Sequence, residues 1–216
     1  MGSYLAGASE FSFRADVTYD AESPEEPKLQ YGGIARVALR RPNQLHVEYD
    51  GDEDTRTIVI DGQTFTFYDR ENELYARTDV SSPIDAAIDQ VFEQYGFSVP
   101  IADLVYTDPY RTLTENAQSG SVVGRHAVDG VECDHLVFTQ EAIDWQIWIE
   151  DGPRPVPRKL TITYKTEPGS PQYTARLSNW DFAPRFSDHY FTFEPPPDAA
   201  EIEFMTVEIV EQEVER

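Results

Sequence analysis

One cysteine in 216 residues, Cys133, leaves no partner for an intrachain disulfide, so packing alone must hold this chain together. Lysine is nearly as scarce: Lys28, Lys159 and Lys165 stand among seventeen basic residues, against forty acidic ones. The net charge of −23 repels phosphate backbones and anionic headgroups, which excludes nucleic acid as a partner. No apolar run approaches the roughly 20 residues that span a bilayer. Repeats and low-complexity tracts are missing too, so a single domain is expected over residues 1–216. Catalytic signatures are equally thin. No Gly-x-Ser-x-Gly elbow occurs, and at this acid content carboxylate pairs carry no information. Neither an enzyme nor a cofactor is expected. The acidity itself has two readings, solvation in a salty or variable medium, or a docking face for a basic partner.

Aromatic residues are plentiful: twelve Tyr, twelve Phe and three Trp, mostly in short alternating runs. Phe11, Phe13, Ala15, Val17 and Tyr19 alternate with polar neighbours, the period-two signature of a half-buried strand. Further strands are predicted over residues 30–40, 45–49, 55–60, 63–68 and 73–77. The break at Arg41-Pro42-Asn43 follows from proline's missing N–H, and Asp61-Gly62 is a two-residue hairpin signal. A second meander reads from the pattern over 121–128, 131–140, 143–149, 160–164 and 173–182, with another hairpin at Asp129-Gly130. A closing strand is expected at 190–194 before Pro195-Pro196-Pro197, and the acidic tail over about 208–216 should fray.

Between the meanders the period changes. Ile84, Ala87, Ile88, Val91, Phe92 and Tyr95 fall at helical spacing, with Ser82 as N-cap, Pro83 in the first turn and Gly96 at the end. A second short helix is predicted at 100–105 and a last turn at 109–113. This amphipathic insert, about 83–113, has to cover something. The expected fold is mainly β (α+β): a strongly curved antiparallel sheet forming a half-open barrel, with a short helical lid between two strand meanders.

Two metal-binding patterns can be tried against the sequence. Asp50, Asp52, Asp54 and Asp61 occupy positions one, three, five and twelve of a calcium-loop template, but Thr55 stands where glycine is required, and a solvated hairpin tip accounts for them better. Cys133, His135 and His126 could meet across one turn, though their spacing matches no closed site and Cys commonly packs as a small hydrophobe. No metal site is expected.

The stretch Arg41-Pro42-Asn43, then Val59-Ile60-Asp61-Gly62-Gln63, then Phe67-Tyr68-Asp69 resembles the central segment of LolA-type outer-membrane lipoprotein carriers. Phe191-Thr192-Phe193-Glu194-Pro195-Pro196 is similar to that family's last strand, and the order of meander, insert and meander agrees along nearly the whole chain. The nearest resemblance is to an uncharacterised branch described as predicted periplasmic proteins. The chain departs from the pattern in its acidity and in its N-terminus, where a long family helix is reduced to residues 4–9. The opening Met1-Gly2-Ser3 reads as a start that replaces a longer native N-terminus carrying a signal sequence.

The resemblance implies a periplasmic, monomeric, non-enzymatic carrier that holds a lipid or lipoprotein acyl chain in an apolar cavity. It also implies membrane-associated donor and acceptor proteins as partners. Arg41 inherits the role of a latch that hydrogen-bonds the lid until cargo enters; structurally it could equally anchor the strand end to a carboxylate. The inward residues expected to line the cavity are Leu45, Val47, Tyr49, Ile58, Ile60, Phe65 and Phe67 from the first meander. Ile88, Val91 and Phe92 join them from the insert, and Leu136, Phe138, Trp145, Ile147, Leu160 and Ile162 from the second meander. The same residues could form a dry core instead, and the protein would then be an interaction module with a vestigial cavity and an acidic docking surface.

Overall fold

The structure, a computed structural model, describes residues 1–21, 29–96 and 100–205. The first meander runs through β1 (Glu10–Asp20), β2 (Gln30–Arg40), β3 (Gln44–Gly51), β4 (Thr55–Ile60), β5 (Thr64–Asp69) and β6 (Leu74–Asp79). The second comprises β7 (Ser119–Val128), β8 (Val131–Thr139), β9 (Ile143–Glu150), β10 (Pro157–Tyr164) and β11 (Gln172–Asp181). A two-residue β12 (Ala200–Glu201) completes one twelve-stranded sheet. Its order, β12-β6-β5-β4-β3-β2-β1-β11-β10-β9-β8-β7, shows how the halves join: β1 pairs β2 on one side and β11 on the other. Every pair is antiparallel except the short β12–β6 contact. The ladder does not close on itself, so the sheet is half-open, as expected from the two meanders.

Alternation decides which face is inside. Phe11, Phe13, Ala15 and Val17 of β1 are buried, as are Ala35, Val37 and Leu39 of β2, while Arg14 and Asp16 pair on the outer face. At Asp129-Gly130 both turn residues take positive φ (48° and 80°), as a tight hairpin of this type demands.

Among the described residues three α-helices accompany the sheet. Beside the short α1 (Gly2–Ala6), the insert holds α2 (Ile84–Tyr95), a 3₁₀ turn at Ala102–Leu104 and α3 (Pro109–Thr114). Helix α2 buries Ile84, Ala87 and Val91 against the concave face of the sheet, joining one core with Leu39, Ile60, Trp145 and Leu160. It ends at Gly96 in the left-handed conformation, whose N–H bonds to Phe92 O at 2.8 Å. Its start differs from expectation. Pro83, not Ser82, is the N-cap, with no side-chain cap; the N–H of Ile84 is met by Pro42 O at 2.9 Å. The sheet rim itself caps the helix. Over residues 100–105 the helix shortens to the 3₁₀ turn, and α1 covers Gly2–Ala6 where the stretch 4–9 was expected.

The closing strand at 190–194 is not formed. Residues Asp188–Phe191 make a 3₁₀ turn, and the following segment joins no ladder until β12. Its aromatic side chains win that competition by packing on the convex face. Phe191 is fully buried beneath the Arg40 guanidinium, 5.0 Å from the ring centre, and His46 Nδ1 donates to Tyr190 O at 2.6 Å. Phe193 settles between Tyr68 and Tyr75. Three prolines then deny the backbone its donors, and the chain rounds the β6 edge to set Phe204 against Phe65 and Tyr95. The expected acidic tail, about 208–216, and the loop at 22–27 lie outside the described residues.

Candidate ligand cleft beneath the helical insert

The concave face and the insert enclose a half-open cleft of about 1190 Å³. Strands supply its walls because period-two alternation turns one face of each toward the trough. Of the residues singled out in the sequence, Leu45, Val47, Tyr49, Ile58, Ile60 and Phe65 line it from the first meander, and Trp145, Leu160 and Ile162 from the second. Ile88, Val91 and Phe92 line it from α2. Phe92 is 53% exposed, an apolar ring left at the mouth. Four others stand outside the lining. Ile147 is in the dry core, Phe138 stacks on Trp145 at 4.1 Å, and Leu136 and Phe67 pack against the core. Strand β8 lies two places beyond β10 toward the open edge, so its inward residues fall past the end of the trough.

Several lining residues were not singled out. Phe13 and Val17 of β1, with Ala35 and Val37 of β2, form the floor. Their alternation was visible, and the central position of β1 and β2 would have promoted them had the pairing of β1 with β11 been known. Tyr19, Tyr164 and Tyr173 gather with Tyr49 at the hairpin end of the cleft. Burial is the first cause raising the phenol pKa of each, and for Tyr173 the neighbouring Tyr49 and Tyr164 add to it.

At the other end the insert is tied down by polar groups. Arg41 donates from Nη1 to Val105 O at 3.2 Å and from Nη2 to Tyr106 O at 2.8 Å, while its own backbone N–H bonds to Ser9 O. Burial lowers the Arg41 pKa, and Asp85 opposes that shift. The neighbouring Arg40 faces the convex side, where it meets Glu10 and Phe186 O. From α2, Asp85 accepts from the N–H and Oγ1 of Thr107, and Asp89 accepts from the Tyr106 hydroxyl at 2.7 Å. The segment 105–107 is therefore gripped from the sheet and from the helix together. Asp103, in the cleft wall, has its carboxyl pushed up to about 6 by burial first and by Glu115 second.

The two metal-binding patterns resolve into protein contacts. Asp50 is taken up by Arg36 and Arg70, Asp52 by the Gly32 N–H, Asp54 by Arg56, and Asp61 by the N–H groups of Gln63 and Thr64. Both ring nitrogens of His135 are engaged, with His126 Nδ1 and with Gln146 Oε1, each at 3.0 Å. The Cys133 thiol donates to Val131 O, and burial raises its pKa.

No helix among the described residues is long and apolar enough to cross a membrane. No curated protein matches the chain. Among solved structures, an uncharacterised conserved protein from Thermus thermophilus shares the fold at a TM-score of 0.54 and 12% identity, over 93% of this chain and 95% of that one. The Mycobacterium tuberculosis lipoprotein LppX aligns at 0.47 and 14% identity, over 82% and 89% of the two chains. A LolA superfamily protein from Nitrosomonas europaea aligns at 0.37 and 13%, over 88% and 96%. The sequence profile of a family described as predicted periplasmic proteins (DUF2092) matches residues 1–205. That match spans every element from α1 to β12, and the chain belongs to this periplasmic family.

Proposed function

We propose that this protein is a non-enzymatic periplasmic carrier that holds the acyl chain of a lipid or lipoprotein in the cleft. One observation supports this reading above the others: a half-open, largely apolar trough of about 1190 Å³ persists between the sheet and the insert where a dry core would have filled it. That volume exceeds the roughly 300–1,000 Å³ of ordinary small-molecule pockets. An acyl chain gains about 0.8 kcal/mol per methylene removed from water, so a dozen methylenes bind without any hydrogen bond. In this reading the insert is a lid and Arg41 its latch, with membrane-associated donor and acceptor proteins at either end of the route.

The reading is tested with the neutral dye N-phenyl-1-naphthylamine and by native mass spectrometry of gently purified protein. Saturable dye fluorescence and co-purifying acyl species are expected. Phe92→Glu places a charge at the mouth on a ring that is already half-exposed, so the fold should survive, with an unchanged far-ultraviolet spectrum. Dye affinity should fall about threefold to tenfold, the cost of one apolar contact. A wild-type protein that stays free of acyl species under lipid challenge and binds no dye would be an interaction module with an empty trough.

A further inference from the structure

The cleft is chemically lopsided. Eight carboxylates line it against two guanidiniums, Arg56 and Arg111. Each cation stands beside an acid. Arg56 pairs with Asp54 at 3.1 Å and lies over the Tyr49 ring, 4.8 Å from its centre, and Arg111 faces Glu115. Low-dielectric walls focus such a field, so a carboxylate or phosphate entering the trough meets net repulsion.

The hairpin end offers something different. Among the described residues, the hydroxyls of Tyr49, Tyr164 and Tyr173 have no hydrogen-bond partner, whereas Tyr19 donates to Glu53 at 2.6 Å. Tyr49 is 8% exposed, a polar side chain buried in the wall with its hydrogen-bonding capacity unused. Its placement is built in. Gly33 and Gly51 are cross-strand partners, and a Cβ on either would stand within 2.7 Å of the Tyr49 hydroxyl oxygen. This glycine pair leaves the bare backbone across which the ring lies. Phenols are protonated at neutral pH, and burial raises the pKa of these three further, so each presents one donor and one acceptor without charge.

We propose that the cargo is an amphiphile with an uncharged polar head, bearing ester or hydroxyl oxygens, which seats against Tyr49, Tyr164 and Tyr173 while the carboxylates keep anionic amphiphiles out. The inference rests on the carrier reading and narrows it to a head-group class. Phenol hydroxyls satisfy ester carbonyls and glycerol-type hydroxyls equally well, and the acyl tail then runs along the apolar floor toward the insert.

Three amphiphiles with the same twelve-carbon chain separate the possibilities: 1-dodecanoylglycerol, dodecanoate and dodecyltrimethylammonium. Each is titrated below its critical micelle concentration against N-phenyl-1-naphthylamine bound to the full chain at 150 mM salt. The glycerol ester should displace the dye at a concentration at least tenfold below that needed for dodecanoate, and below that for the ammonium. The double substitution Tyr49→Phe with Tyr173→Phe keeps both rings and should weaken the ester about fivefold to tenfold more than it weakens the dye. Equal displacement by ester and dodecanoate, an ammonium that outcompetes the ester, or an ester unaffected by the double substitution would overturn the head-group inference while the carrier reading stood. A wild-type protein with no saturable dye binding would overturn both.

Discussion

Asp103 stands in the cleft wall, and its carboxyl is lifted from an ordinary 3.8 to about 6 by burial and by Glu115. Between those values the folded chain holds a proton that the unfolded chain releases. Stability therefore falls as pH rises through the window from about 4 to 6, and the loss is complete above it. Asp103→Asn removes the penalty. In denaturant titrations the variant should be about 1–2 kcal/mol more stable than wild type at pH 7.5, and the two should converge near pH 4. Asp16 and Asp50, whose pKa values their arginine partners lower, titrate alike in both proteins and cancel from the difference. A difference that stays constant with pH would show that the carboxyl is solvated. Residues of this kind were hidden in the sequence. Asp103 is one acid among forty, and only the insert that buries it makes it unusual. Tyr164 and Tyr173 likewise read as ordinary strand aromatics until the curl of the sheet brings β10 and β11 to the hairpin end of the trough. Arg41 was legible for the opposite reason, because proline and asparagine after it mark a strand end in a familiar pattern.

Elements were easier to read than their edges. Every hairpin of the first meander and the period of α2 were written in the spacing of apolar residues, since alternation is dictated by which face meets the core. The closing segment was misread because Tyr190, Phe191 and Phe193 have strand composition while their partners, Arg40, His46, Tyr68 and Tyr75, lie on a convex face that no local pattern announces. The pairing of β1 with β11 is equally invisible locally, being set by how two meanders meet. The insert shows how an element can depend on one residue from outside it. The two guanidinium donors of Arg41 hold consecutive carbonyls of the segment linking the 3₁₀ turn to α3, and charged donors contribute about 1.5–3 kcal/mol each. Arg41→Leu should therefore raise amide exchange over residues 100–113 by about tenfold or more, with β1 to β5 unchanged, and increase dye fluorescence at sub-saturating dye. Exchange that rises equally across the sheet would mean that Arg41 serves the strand end alone, and unchanged dye binding would rule out a latch.

For the molecule as a whole the dominant quantity is the charge of −23, and it sets two effects against each other. Pairs such as Arg125–Asp151 and Arg176–Asp129 are exposed, each contributing at most about 1 kcal/mol, and salt weakens them. Acting against them is the repulsion among carboxylates that forty acids and seventeen bases must leave without a cation. Pairs act over a few ångströms, whereas the surplus acts across the whole surface. Sodium chloride shortens the Debye length from about 30 Å at 0.01 M to about 3 Å at 1 M, which removes long-range repulsion well before it dissolves close contacts. Melting temperature should accordingly rise by several degrees between 10 mM and 500 mM sodium chloride, with most of the gain below 200 mM, where the Debye length crosses about 10 Å. Sodium sulfate at matched ionic strength should track chloride over that range and climb further only at higher concentration, where exclusion from apolar surface begins to act. A melting temperature that falls with chloride would mean that close ion pairs outweigh the surplus. The acidity would then be better regarded as a set of specific contacts than as a solvating surplus.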